Sequence, residues 1–562
     1  MAECTYVLKV RSIYFERTIY GKNQFMIKKT PKVGIWVAIL ITAFVVSAVG
    51  ALLSNAPSLD ISQVWSDPYY WHVTKFSFYQ ATLSTLLSVG FAIPIAHALC
   101  RRQFFGRALL LRLFASTLVL PVLVGVFGLL AIYGNRGWLA KFLANFDIEL
   151  PFSIYGLNGI LLAHVFFNLP YASRLLLQAL DTVPAEQHKL CAHLGMSHWN
   201  KFKWVEWPRL RQQLPHVCGL VFMLCFTSFA TVMALGGGPK STTIELAIYQ
   251  AIKFDFDLQA GALLAIWQML LCGVLAVSIQ RLSKPISVTA SQLSEDKYLV
   301  KDSWWSKAWD SFWITVVSML VLPPLAMVIF SGINSQALTV LSSEPFWAAL
   351  MTSVRVASLA SVIAVFIGIA ILLTSRAWRL QNKNFRADKI ELIGPIILVT
   401  PGLVISTGLF LLLRSFTDVF SLAFFIVIAV NSLMALPYVI KTLAQPMLHL
   451  SQQYQYVCAS LGMTGFTRFR LVEWRALRKP MAHAFSISFM LAMGDLSAIA
   501  LFGSHDFRTL PLYLFQLLGS YQMEAAAVVS VSLLLLSVGS FSLIEFLFTR
   551  NSKLEAKGVR NR

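Results

Sequence analysis

Twelve apolar blocks, each about as long as a bilayer-crossing helix, decide what this chain can fold into. They lie near 33–55, 75–99, 108–133, 156–179, 212–235, 258–280, 308–330, 348–374, 388–413, 420–444, 480–502 and 523–548. A hydrocarbon core takes about twenty apolar residues in helical form. Backbone groups in lipid find no water, so segments that close their own hydrogen bonds, helices, are expected. Composition agrees: 13% of residues are charged and 57% hydrophobic, against about 25% charged in soluble domains. The chain reads as an all-α polytopic membrane protein with about 12 transmembrane helices.

The net charge of +20 does not point to nucleic acid, because the basic residues lie in short runs between the blocks. Of the 46 Lys and Arg, 37 fall in 1–32, 100–112, 180–211, 281–307, 375–390, 441–480 and 549–562. The positive-inside rule places these segments, and both termini, in the cytoplasm. The seven cysteines form no CxxC pair and no Cys/His cluster at metal spacing, so they read as small hydrophobes and reduced thiols, with no metal site expected. The first 32 residues are polar and basic without a small-residue cleavage site, which argues against a cleaved signal peptide. Met26, before IKKTPK, is an alternative start; residues 1–25 are then a dispensable extension, or else a genuine cytoplasmic tail.

The chain also repeats itself. LGMSHWNKFKWVEWP at 194–208 returns as LGMTGFTRFRLVEWR at 461–475, identical at seven of fifteen positions and offset by 267 residues. The same offset sets Pro170 over Pro437 and Arg174 over Lys441; further N-terminal, Pro121 and Gly128 match Pro401 and Gly408 at offset 280, and Ser77 matches Ser353 at 276. Matched Pro, Gly and charged positions exclude chance likeness between apolar helices. Six blocks per half make the repeat parallel in the membrane. The expected organisation is an N-terminal extension (1–32), a first half (33–281), a linker (282–307), a second half (308–549) and a basic tail (550–562).

In the first copy, AEQHKLCAHL favours helix, Gly195 can supply a left-handed residue to end it, and Ser197 can cap the next segment. Pro208 is expected to end that segment. Trp199, Phe202, Val205 and Trp207 recur at near-helical spacing beside Glu206 and form an apolar face with a basic rim; Phe466, Phe469, Val472, Glu473 and Trp474 follow Gly462 in the second copy. A helix resting on anionic lipid fits Trp and Lys equally well. The matched Gly, Val, Glu and Trp favour docking of a two-fold symmetric partner instead. Arg475 stands where the first copy has Pro208, which leaves open whether the two docks are equivalent.

Gly195, nine residues, Val205, Glu206, Trp207 and Pro208 resemble the cytoplasmic loop motif of ATP-binding-cassette importer permeases. The second half departs from it at Arg475, and Lys189-Leu190-Cys191 and Tyr456-Val457-Cys458 replace its leading Glu-Ala-Ala. More narrowly, LLAHVFFNLPYASRLLLQAL, LGGGPKSTTIELAIYQA and FRTLPLYLFQLLGSY are similar to the fused thiamine-importer permeases of proteobacteria. The resemblance covers nearly the whole chain from residue 33. It implies a type I importer permease fold in the bacterial inner membrane and a homodimer of separate ATPases docked around Gly195 and Gly462. It also implies a periplasmic thiamine-binding protein, and thiamine with its phosphates as the solute. No cofactor is then bound by this chain; ATP and Mg sit on the partner subunits. A fused permease for another solute, such as ferric iron, is the near alternative. A twelve-helix secondary transporter is the distant one, but its usual Gly/Asp/Arg loop between helices two and three is here only CRRQFFGR.

GGGPKS at 236–241 lacks phosphate-loop spacing and is expected in a flexible outer loop, as is FGSHDFRTLP at 502–511. No catalytic triad or cofactor box is present, so a transport subunit rather than an enzyme is expected. Polar groups within spans are candidates for the translocation path. These are Asp495, its offset partner Ser228, and the pair His164 and Asn431, for which interhelical hydrogen bonding is the plainer role. Glu245 is read as an outer-loop residue.

Overall fold

The computed structural model describes residues 32–560 except 56–61, 118–119, 150, 283–302, 395–396, 398–399 and 464. The segment 1–25, most of the linker and the last two residues of the tail lie outside the described residues. All regular structure among the described residues is helical. The first half holds α1 (Val33–Asn55), α2 (Pro68–Arg101), α3 (Arg107–Ser116), α4 (Val122–Tyr133), α5 (Leu157–Asp181), α6 (Ala185–His193), α7 (Trp207–Phe226), α8 (Phe229–Leu235), α9 (Ile244–Lys253) and α10 (Leu258–Leu282). The second holds α11 (Trp304–Ser331), α12 (Glu344–Leu380), α13 (Asn384–Glu391), α14 (Gly402–Leu413), α15 (Ala423–Ser460), α16 (Trp474–Gly494), α17 (Ser497–Phe502), α18 (Leu510–Gly519) and α19 (Met523–Arg560).

Among the described residues ten helices are long and apolar enough to cross a membrane, and a pair bent by 52° at Thr227–Ser228 makes an eleventh if it is one span. The twelve-block reading is refined where the chain breaks. The third block is α3 and α4, and the ninth is α13 and α14. Pro121 and Pro401, in matching positions, are the N-caps that open α4 and α14. A proline donates no backbone hydrogen bond and suits a helix start, so the chain turns there rather than running through.

Within each half the long helices bundle in the same way: α2 packs on α5 and α7, and α12 on α15 and α16. The first helix of each half, however, crosses to the other. α1 packs on α12 and α14, and α11 on α2 and α4. The matched glycines explain the fit. A Cβ on Gly128 would collide with the carbonyl oxygen of Pro324 on α11, and one on Gly408 with that of Ala48 on α1. Ala48 and Pro324 are themselves offset partners, so one backbone-to-backbone contact is made twice. The α11 arm is further fastened by Asp310, fully buried, whose carboxylate accepts from Arg102 Nε at 2.7 Å. At the matching position of α1, the Gly34 amide donates to Thr374 Oγ1 at 3.1 Å.

α9 and α18 are ten-residue helices on the side of the bundle opposite the repeated phrases. Each is tied by its first amide: Ile244 N donates to Ser77 Oγ at 3.0 Å and Leu510 N to Ser353 Oγ at 2.7 Å. The repeated serines are therefore anchors for these caps. The GGGPKS segment is less free than expected, since Ser241, Thr242 and Thr243 are buried as they lead into α9.

Candidate functional site: the paired loop helices

Both copies of the repeated phrase fold alike. In the first, α6 ends at Gly195, whose φ of +60° is left-handed, and Met196 N donates to Cys191 O at 3.0 Å. In the second, Gly462 has φ +63° and Met463 N donates to Cys458 O at 2.8 Å. Glycine takes this conformation without the penalty that a Cβ brings. Ser197 then caps the next turn, accepting from Asn200 N at 3.3 Å.

The new helix does not stop at Pro208. It runs from His198 through a π-turn at Phe202–Glu206 straight into α7, and its twin runs from Gly465 through a π-turn at Phe469–Glu473 into α16. Trp207 N bonds Phe202 O and Trp474 N bonds Phe469 O, one residue further back than in an α-helix. Pro208 follows the π-turn directly, in the first turn of α7. Arg475 occupies the same place after the same π-turn, so this substitution leaves the backbone of the two loop helices equivalent. The asymmetry lies elsewhere. Pro184 separates α5 from α6, whereas Ser451 at the matching position lets α15 continue unbroken to Ser460.

The repeated glutamate is a buried pin. Glu206 Oε2 lies 3.0 Å from His97 Nε2, and its Oε1 lies 3.3 Å from Lys201 Nζ. Glu473 accepts two hydrogen bonds from Arg376 Nη2, both 2.9 Å, and Arg468 Nε lies 2.9 Å from Oε1. Each glutamate is about nine-tenths buried or more and ties the loop helix to the end of α2 or α12. His97 and Arg376 are the residues that sequence reading missed. A basic residue at the loop end of a span is ordinary, and nothing local marks these two as partners of a carboxylate 97 to 109 positions away.

The aromatic face is split. Phe202 is half-buried, packed at ring distances of 5.0 Å on His97 and 6.0 Å on Trp207. Val205, Trp207, Phe469 and Val472 are also half-buried, so these residues seat the helix. Trp199 and Trp204 are 68% and 66% exposed and join exposed Leu190 and Leu194 in an outward apolar stripe. At offset 267 the second half exposes Val457, Leu461 and Leu471, with Trp474 beside them; the side chain of Phe466 lies outside the described residues. A cleft of about 480 Å3 opens between α6 and the first loop helix, walled by Gln187, Leu190, Met196, Trp204, Val205 and Pro208.

The interior candidates do not gather at one point. His164 Nδ1 sits 3.0 Å from Ser84 Oγ, between α5 and α2, and acts as an interhelical polar contact. Asn431 is buried on α15. Ser228 and Asp495 both lie at breaks, Ser228 between α7 and α8 and Asp495 between α16 and α17. Asp495 caps α17: Oδ1 accepts from Ser497 Oγ at 2.7 Å and Oδ2 from Ala498 N at 3.3 Å. Its neighbour Gly494 packs on Pro121, so a break of one half rests on a break of the other. Glu245 corrects the outer-loop expectation: it is buried on α9 and accepts from Gln268 Nε2 at 3.1 Å.

This duplicated architecture has counterparts. Residues 84–285 and 380–553 each match the family described as binding-protein-dependent transport system inner membrane component. The chain belongs to this family. It is an inner-membrane permease, and each matched region contains one copy of the repeated phrase. The thiamine transport system permease protein of Escherichia coli (strain K12) is 48% identical over 93% of the chain and 97% of its own length. Those of Salmonella typhimurium (strain LT2) and Haemophilus influenzae (strain Rd) are 47% and 41% identical, over 93% and 89% of this permease and 97% and 93% of their own lengths.

Proposed function

We propose that this permease carries thiamine, and its phosphates, inward across the bacterial inner membrane. A homodimer of separate ATPases docks on the two loop helices in the cytoplasm, and a periplasmic thiamine-binding protein delivers the solute at the opposite end. The observation that carries the docking reading is the matched pair of loop helices. They share a left-handed glycine, a π-turn and a buried glutamate pin, and expose apolar residues at the same offset. Two such surfaces on one chain suit a partner with its own two-fold axis. The solute follows from relatives that are thiamine permeases over nearly their whole length. ATP binding and hydrolysis belong to the partners; here they bias the permease between two states that differ in affinity for the closed ATPase dimer.

Vesicles holding the permease, its ATPase and its binding protein are expected to take up labelled thiamine only with ATP. Uptake of ferric iron instead would contradict the thiamine reading. Within that assay Asp495→Asn separates charge from structure. Asparagine caps a helix about as well as aspartate, so α17 keeps its start while the site loses the charge facing the cationic thiazolium. A lost contact of about 1.4 kcal/mol lowers uptake about tenfold. Unchanged uptake at unchanged protein level removes Asp495 from the path.

A further inference from the structure

We propose that Lys253 is a clasp that holds the two halves of the permease together at the end remote from the ATPase docks, and that it opens to admit solute. The inference rests on the reading above, in which ATPase closure drives the change of state.

Lys253 is the last residue of α9, in the first half. Its Nζ donates to Leu501 O at 3.1 Å, in the last turn of α17 in the second half, and to Gly503 O at 3.3 Å, on the extended residue that caps α17. The ammonium also lies 5.7 Å from the ring centre of Phe420. Carbonyls at a helix end have no partner within the helix and carry the negative end of its dipole, so a cation is well matched there. Half-burial lowers the ammonium pKa from its ordinary value, and such a group is held in place only if its hydrogen bonds are kept.

The position gives the contact its role. α7 and α8 cross the bundle away from the loop helices, α9 follows, and α10 returns, so Lys253 lies at the opposite end. α9 packs on α17, and α17 is the outer leg of the span broken at Asp495. Solute arriving at this end passes between the halves only when α9 and α17 part. The clasp is one-sided. At offset 266 the residue matching Lys253 is Gly519, with no side chain to reach across. The carbonyl of Leu235, which corresponds to Leu501, accepts instead from the Gly156 amide at 2.7 Å.

The test is ATP hydrolysis by the reconstituted permease–ATPase complex, with and without the binding protein. Lys253→Met and Lys253→Gln remove the clasp, populate the open state and are expected to raise hydrolysis without binding protein about fivefold, within the usual range of coupling between sites. Lys253→Arg keeps two donors on a long stem and is expected to stay near wild type, which a general loss of packing would not produce. Wild-type basal rates in both Lys253→Met and Lys253→Gln, or an equal rise in Lys253→Arg, would overturn the clasp. A wild-type complex that hydrolyses ATP regardless of the binding protein would overturn the reading beneath it, and the clasp with it.

Discussion

Glu473→Ala is expected to abolish uptake while the chain still inserts. The carboxylate lies among Arg376 and Arg468, with Arg376 giving two 2.9 Å bonds from one nitrogen. Removing one side of a buried ion pair leaves the other charge unpaired, which costs about 3–5 kcal/mol. The penalty falls on the joint between α12 and the second loop helix, because that is all the glutamate joins. The helix then loses its fixed angle to the bundle, and ATPase movement no longer reaches α16. Glu206→Ala is expected to be milder. Its contacts are single and longer, 3.0 Å to His97 and 3.3 Å to Lys201, where Glu473 holds two arginines through three contacts of 2.9 Å. The checks are thiamine uptake, protein level, and protease cleavage at the loop in each variant. Full uptake by Glu473→Ala would show that the pin does not transmit movement.

Gly128→Leu combined with Gly408→Leu is expected to prevent the two halves from assembling. At each site the first added carbon meets a backbone carbonyl of the crossing arm, Pro324 or Ala48. Backbone cannot rotate away as a side chain can, so the arm itself must shift. Overpacking of this kind costs about 1–3 kcal/mol per site, and sites on separate helix pairs add. Detergent-solubilised protein should show a lowered thermal midpoint for each single variant and aggregation for the pair. A double variant that melts like wild type would mean that the crossing of α1 and α11 is not held by this contact.

Much of the fold could be read from the sequence because bilayer burial writes itself in hydropathy, and a tandem repeat writes itself in offsets. Those signals gave the spans, the two halves and the loop phrase. They could not give contacts whose partners are remote. Gly128 and Gly408 were visible as a matched pair, yet what they touch belongs to the other half. Hydropathy also ignores backbone angles: 108–133 and 388–413 read as single spans although Pro121 and Pro401 stood inside them as signals of a break. Nothing near Glu245 in the sequence marks it as buried, because Gln268, which bonds it, lies on the next helix. In the loops Pro208 against Arg475 is the conspicuous difference in sequence, yet the π-turn before them is the same. The difference that bends the chain is Pro184 against Ser451.

If the two loop helices dock the ATPase, co-purification of the ATPase with the permease depends on them. Gly195 and Gly462 suit the test because a Cβ added at either would meet nothing within 4 Å. Gly195→Asp with Gly462→Asp therefore strains two left-handed residues by about 1 kcal/mol each, while placing charge and bulk on the outward face. Aspartate is among the residues that tolerate this conformation best. The double variant is expected to fold and insert like wild type but no longer to bring the ATPase down with it. ATPase recovered in wild-type amounts with the double variant would mean that it docks elsewhere.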